Sequence, residues 1–157
     1  MRLIVAAFAL AFGLDQLTKY LVVYRLGLID RYAIDVWPPI LNFRYGENTG
    51  INFGLFDGGA DTGRWILIGV SLVICAALTI WTTRQPAHRG LRLAAGLVIG
   101  GALGNVYDRV LYGYVLDFLN MSCCGINNPF VFNVADVFIF AGAAGLILFE
   151  GQLKKPA

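Results

Sequence analysis

The sequence predicts an all-α membrane protein, with four transmembrane helices and a long outer loop carrying a short β-rich or irregular segment. Three observations point there. Of 157 residues, 58% are hydrophobic and only 14% charged, with a mean hydropathy of +0.68, whereas an ordinary soluble domain carries roughly 25% charged residues. Four segments are apolar over the ~20 residues that a helix needs to cross the hydrocarbon. The few charges inside those segments gather at one depth instead of being scattered. The length suits a single integral membrane domain, residues 1–157. The 13% aromatic content excludes disorder, and a net charge of +2 with no basic stripe excludes nucleic acid as a partner.

The first helix is expected at about 3–26, with Asp15, Gln16 and Lys19 inside it. Arg2 before an apolar stretch of small residues is also how a secretory signal begins. The hydrophobic pattern continues past Asp15 to Leu28, however, and a polar trio sits within it, so an uncleaved first helix is expected. The outer segment 27–64 is too long for a simple turn. Within it, Trp37-Pro38-Pro39-Ile40 reads as a turn and Leu41 to Tyr45 as a short strand. Phe53, Leu55 and Phe56 are poorly placed in water, so this loop is expected to lie on the outer membrane surface or to fold over a site there.

The second helix, about 65–81, has no charge at all. The third, about 91–110, is rich in glycine and closes with Asn105, Asp108 and Arg109. A second outer loop, 111–129, leads to the fourth helix, about 130–149, with Asn133 and Asp136 near its start.

Orientation follows from the basic residues. With the N-terminus inside, the inner segments hold Arg2, Arg84, Arg89, Arg92, Lys154 and Lys155 against the single acid Glu150. The loop 27–64 and its flanks hold Arg25, Arg31, Arg44 and Arg64 among five acids, and the loop 111–129 has no Lys or Arg. That bias places both termini in the cytoplasm.

Cysteine and histidine carry little. Cys75 falls mid-helix and is expected to be inert, while the adjacent Cys123 and Cys124 seldom could bridge each other without strain. His88 is the only histidine, which argues against a histidine-based metal centre, and no Gly-rich phosphate loop is present. No metal or cofactor is expected.

Ionisable groups within spans are costly and by default mark a site. Asp15, Lys19, Asn105, Asp108, Arg109, Asp117, Asn133 and Asp136 all fall toward the outer ends of the helices. Asp15 and Lys19 are spaced i,i+4 with the acid first, as an intrahelical ion pair prefers. They read either as a self-neutralising structural pair or as direct participants. If the third helix continued through Gly113, the nine residues from Asp108 to Asp117 would make 2.5 turns and put the two on opposite faces. Arg109 and Asp117 would then lie only about 80° apart.

Asp117 and Asp136 thus approach one pocket from the two sides of a short outer loop. Two carboxyls forced together in a poorly solvated place cannot both ionise, so one proton is shared. The ionised member can then take a proton from water while the protonated one polarises a carbonyl, as in aspartic proteases. A polar structural network or a proton path remain open readings of the same residues.

At these residues the chain closely resembles the lipoprotein signal peptidases (signal peptidase II), membrane aspartic proteases of the bacterial inner membrane. Asp15-Gln16-Leu17-Thr18-Lys19 resembles the family's D-Q-x-x-K element, and Asn48-Thr49-Gly50 with Phe53 resembles N-x-G-x-x-F. Gly101, Gly104, Asn105, Asp108 and Arg109 are similar to G-x-x-G-N-x-x-D-R. Val115-Leu116-Asp117-Phe118 resembles V-x-D-F, and Phe132-Asn133-Val134-Ala135-Asp136 resembles F-N-x-A-D. Each motif alone is weak, but five in order on the expected spans are highly specific.

The resemblance implies that Asp117 and Asp136 form the catalytic dyad. It implies pocket-shaping or substrate-binding roles for Asp15, Lys19, Asn48, Gly50, Asn105, Asp108, Arg109, Asn133 and Ala135. The implied substrates are diacylglyceryl-modified prolipoproteins, cut just before the lipidated cysteine to release the signal peptide. Membrane lipids and globomycin-type inhibitors are the other implied partners, and a monomer is expected. The implied setting is the inner membrane, with the site toward the periplasmic face. Arg109 is either a charge partner of Asp117 or a group that holds backbone carbonyls of the substrate. Ile51 and Asn52, where the family commonly has two small residues, and the loop Ser122 to Asn128 depart from the family pattern. A small transporter and a non-cleaving binder of lipidated precursors are the rival functions. The first calls for charges along a whole path across the bilayer, the second for loss of one dyad aspartate; neither is seen.

Overall fold

The computed structural model describes residues 1–50, 59–85, 88–123, 125 and 128–153. Ile51, Asn52, Phe53, Leu55, Phe56 and Cys124, all singled out above, lie outside the described residues. In chain order the elements are α1 (Arg2–Lys19), α2 (Leu28–Arg31), β1 (Ala33–Trp37), β2 (Leu41–Asn48), α3 (Gly59–Arg84), α4 (Arg89–Tyr112), β3 (Val115–Asn120) and α5 (Val134–Leu153). A π-helical segment, Tyr20–Arg25, continues α1. Among the described residues, four helices are long and apolar enough to cross a membrane: Arg2–Arg25, Asp61–Arg84, Arg89–Tyr112 and Val134–Gly151.

α4 is the central helix, packed against α1, α3 and α5. Its glycines explain how. Gly96 and Gly100 lie on α1, where an added Cβ would come within 2.6 and 2.7 Å of the carbonyl oxygens of Ile4 and Phe8. One turn further, a Cβ on Gly104 would stand 2.9 Å from the Asp15 carboxylate. Without a hydrophobic drive between helices in lipid, such small-residue seams supply close backbone packing. The seam therefore brings the polar ends of α1 and α4 together.

The sheet caps one end of this bundle in the order β1-β2-β3, antiparallel throughout. Leu116 and Phe118 of β3 pack with Val22, Val23 and Leu28 in a buried cluster beneath it. The strand at 41–45 is extended to Leu41–Asn48, and the Trp37 to Ile40 turn links it to β1. Between Phe43 and Gly46 the β2–β3 register shifts, giving β2 one extra residue before Gly46 meets Asp117. Such bulges re-aim side chains.

Three expectations need correction. The third helix does not continue through Gly113: that residue takes the left-handed conformation (φ +89°) and its N–H caps the Arg109 carbonyl. Asp117 consequently sits on a strand, and the helical angles counted to it from Asp108 and Arg109 do not apply. The fourth helix starts at Val134, not at 130, because Phe132 is held in an antiparallel bridge to Leu119. The second helix begins at Gly59, earlier than 65.

Candidate active site

Asp117 and Asp136 reach the site by different routes. On β2, Gly46 is directly opposite Asp117, and Asn48, two residues on, shares its face. From that diagonal position the Asn48 amide donates to Asp117 Oδ2 at 3.0 Å. Its Oδ1 accepts the Gly50 N–H at 3.0 Å, with Gly50 at φ +89°. Asp136 belongs to a reciprocal cap at the start of α5. Its N–H donates to Asn133 Oδ1 at 2.9 Å, and its Oδ2 accepts the Asn133 N–H at 3.3 Å.

Two carboxamides join the acids. Asn133 Nδ2 donates to Asp117 Oδ1 and, at 3.2 Å, to Asn105 Oδ1. Asn105 Nδ2 donates to Asp136 Oδ1 at 3.0 Å. Every carboxylate oxygen of the pair therefore accepts from a neutral donor. Burial pushes the Asp117 carboxyl up to about 6; the nearby charge of Asp136 adds to this, while the amides of Asn48 and Asn133 oppose it.

Behind the pair lies a buried ionic network. Lys19 Nζ is 2.8 Å from Asp15 Oδ2 and 2.7 Å from Asp108 Oδ2, and it also reaches Asn105 Oδ1 at 3.4 Å. All three charged residues are at most 2% exposed. Asp15 Oδ1 accepts the Ala135 N–H at 2.8 Å, and Asp108 Oδ2 accepts the Leu116 N–H at 3.1 Å. Ala135 and Leu116 are the residues immediately before Asp136 and Asp117. The i,i+4 pair of Asp15 and Lys19 is formed, but Asp108 joins it, so one ammonium is shared between two carboxylates. Gln16, part of the motif but not among the expected site residues, completes the network by donating to Asp15 and Asp108 at 3.0 Å each. Its adjacency to Asp15 in the D-Q-x-x-K element was the available signal.

Arg109 stands apart. Its Nη1 donates weakly to the Asn105 carbonyl at 3.5 Å and its buried Nε has no partner. Among the described residues it forms no ion pair. It lines a cleft of about 620 Å³ with Asp117, Asn48, Gly50, Leu67 and Phe130. A second groove of about 600 Å³ opens on the other side, where Asp136 is bordered by Phe132, Val137, Phe140 and Ala141. The two acids so face a mixed polar cleft and an apolar groove. The walls supplied by Gly46, Leu67 and Val131 were not anticipated, because only the register and the α3 packing bring them there. Among the described residues no group of three or more His, Cys, Asp or Glu side chains is placed to hold a metal ion.

Among the described residues, four helices apolar enough to cross a bilayer, a small sheet over one end and a carboxamide-linked acid pair at a cleft have the architecture of a multi-pass membrane enzyme. The chain belongs to the signal peptidase (SPase) II family of peptidases, whose family model matches residues 7–150. It is 40% identical over 139 residues to the lipoprotein signal peptidase of Sphingopyxis alaskensis, covering 88% of this chain and 79% of that one. It is 41% identical over 152 residues to that of Nostoc sp., covering 97% and 89%. Among solved structures it is similar to a bacterial membrane enzyme with a TM-score of 0.80 and 27% identity, covering 98% of this chain and 94% of the other. A second such structure gives 0.77 and 26%.

Proposed function

We propose that this peptidase removes the signal peptide from diacylglyceryl-modified prolipoproteins, cutting the bond just before the lipidated cysteine with Asp117, Asp136 and water. The observation that carries this is the Asp117–Asn133–Asn105–Asp136 chain of hydrogen bonds at the cleft. It holds two acids in one electrostatic field with only neutral groups between them, so the pair shares a proton. We assign that proton to Asp117, whose carboxyl pKa is raised by burial.

Asp136 takes a proton from water as the water oxygen attacks the scissile carbonyl carbon, and Asp117 gives its proton to the carbonyl oxygen. Collapse of the tetrahedral intermediate breaks the C–N bond. The leaving nitrogen takes a proton from Asp136, and the hydroxyl proton returns to Asp117. The sum is one water consumed, one acid and one amine formed, and the dyad restored. Arg109, with no carboxylate partner among the described residues and a donor to spare, is suited to hold a substrate carbonyl. Asn48 orients Asp117 on one side and Asn105 orients Asp136 on the other. Ala135 must be small, because it is fully buried with its Cβ against Gly104. The apolar groove beside Asp136 suits the acyl or signal-helix part of the substrate.

The basic bias supports a location in the bacterial inner membrane with both termini cytoplasmic and the site periplasmic. We take the chain to act as a monomer inhibited by globomycin-type peptides. The test is purified protein mixed with diacylglyceryl-modified precursor. Cleavage by the unaltered chain and none by Asp117→Asn or Asp136→Asn is expected. Equal cleavage by either variant overturns the dyad, and equal cleavage of unmodified precursor overturns lipid recognition.

A further inference from the structure

The end of the bundle farthest from the acid pair carries a groove of about 480 Å³ between the starts of α1 and α4. Its walls are Met1, Arg2, Leu3, Arg89 and Arg92. Three arginines from two helices therefore line one cavity, and among the described residues no acidic side chain does. Among the described residues none of the three forms an ion pair. Glu150, the acid near that end, is not part of the wall. Like charges sharing a groove repel one another unless an anion lies between them.

Helix energetics do not explain the placement. A basic residue in a first turn opposes the macrodipole, and the first turns of α1 and α4 contain no acid to offset it. The positive-inside tendency explains the sign of the charge at this end but not its convergence on one groove. Arg84, which closes α3 at the same end, lies outside the groove; Arg2 and Arg89 are exposed as it is, and Arg92 is half-buried.

The chemistry of the walls selects the anion. The guanidinium fork matches phosphate oxygens. Leu3 adds an apolar wall beside the arginines, and Leu93, next to Arg92, is exposed. An inorganic phosphate has no use for such a wall, whereas a phospholipid presents an anionic head continuous with apolar chains. We propose that Arg2, Arg89 and Arg92 hold the headgroup phosphate of one anionic phospholipid from the leaflet at that end, with its chains running past Leu3 and Leu93.

The test is native mass spectrometry of the detergent-purified protein with phosphatidylglycerol or phosphatidylcholine of equal chain length. One phosphatidylglycerol per chain is expected, with phosphatidylcholine retained far less. The double variant Arg89→Gln/Arg92→Gln should bind phosphatidylglycerol about tenfold or more weakly, given the usual worth of two basic groups near an anionic headgroup. Arg84→Gln should bind as the parent does. If the Gln pair fails to keep the parent's thermal midpoint, Arg89→Lys/Arg92→Lys takes its place and should bind several-fold more weakly, having lost the fork. Equal retention of phosphatidylcholine, unchanged binding by the folded groove variant, or an equal loss in Arg84→Gln overturns the proposal. Displacement of the lipid by millimolar inorganic phosphate also overturns it, in favour of a soluble phosphate ligand.

Discussion

Asp15 in the first helix accepts the backbone N–H of Ala135 at 2.8 Å, so a carboxylate near the start of the chain holds the residue preceding Asp136. Asp108 does the same for Leu116, the residue preceding Asp117, and Lys19 ties the two carboxylates together. The spacing of the acid pair is thereby set from behind, through the backbone, by a triad that does not itself line the cleft.

Lys19→Met tests this directly. It leaves two buried carboxylates without their shared cation, and breaking a buried pair by removing one partner typically costs about 3–5 kcal/mol. A large fall in thermal midpoint is expected, together with loss of precursor cleavage even below the new midpoint. A midpoint unchanged in a thermal melt refutes the structural role.

Much of this was legible in the sequence, and the exceptions have physical causes. The four spans follow from hydropathy, and the clustering of Asp15, Lys19, Asn105, Asp108, Asn133 and Asp136 at one end follows from their positions along those spans. β3 was hidden because Val115, Leu116, Asp117 and Phe118 are all buried, so no alternation marks a strand. The stop at Gly113 and the cap at Asn133 are local signals that hydropathy alone overrides. The pairing of Gly46 with Asp117 depends on a bulge, and a bulge has no signature in one sequence.

Asp117→Asn and Asp136→Asn should each lower kcat by roughly 10²–10⁴-fold, the usual worth of a positioned acid or base. Both substitutions keep the side-chain shape but set an NH2 against a neighbouring N–H donor, so a modest fall in the thermal midpoint, worth about 1–3 kcal/mol, should accompany the loss of activity. Single-turnover cleavage of lipidated precursor is the measurement.

The pH dependence has a definite sign. Asp117 is lifted from an ordinary 3.8 to about 6, so the folded state binds its proton more tightly than the unfolded chain. Its contribution to stability is full below 3.8 and is lost as pH rises through about 6. Activity that needs the protonated Asp117 should likewise decline above that value. Asn48→Ala removes a donor that holds the carboxyl down, so the declining limb of the kcat/KM profile should move to higher pH. A limb that stays put shows that another group sets it.

Arg109→Gln should raise KM and lower kcat/KM by about 10–100-fold with only a small fall in the thermal midpoint, as expected for a group whose one bond within the protein is the weak contact to the Asn105 carbonyl. Arg109→Lys should recover little, because a point charge does not replace the planar fork. A midpoint drop as large as that of Lys19→Met shows instead that Arg109 is a structural cation.

Gly101→Ala brings a methyl within 2.5 Å of the Ala135 carbonyl, which is backbone and cannot step aside. Separation of α4 from α5 should cost about 1–3 kcal/mol and lengthen the Asn105–Asp136 hydrogen bond. A lower midpoint and a disproportionate loss of kcat are expected in parallel melting and turnover measurements.

The glycine seam has one further result. Away from the acid pair, α1 from Leu3 to Leu14, α4 from Leu93 to Tyr107 and α5 from Val137 to Phe149 contain no Asp, Glu, Lys, Arg or His. Over the same stretch Gly96 and Gly100 seat α4 directly on the α1 backbone, leaving no room for a file of water between them. The seam between α1 and α4 therefore offers protons no route from the acid pair to the far end of the bundle. If the acid pair hydrolyses peptide bonds as proposed, a bilayer holding an electrochemical gradient can carry it without a proton leak along this seam.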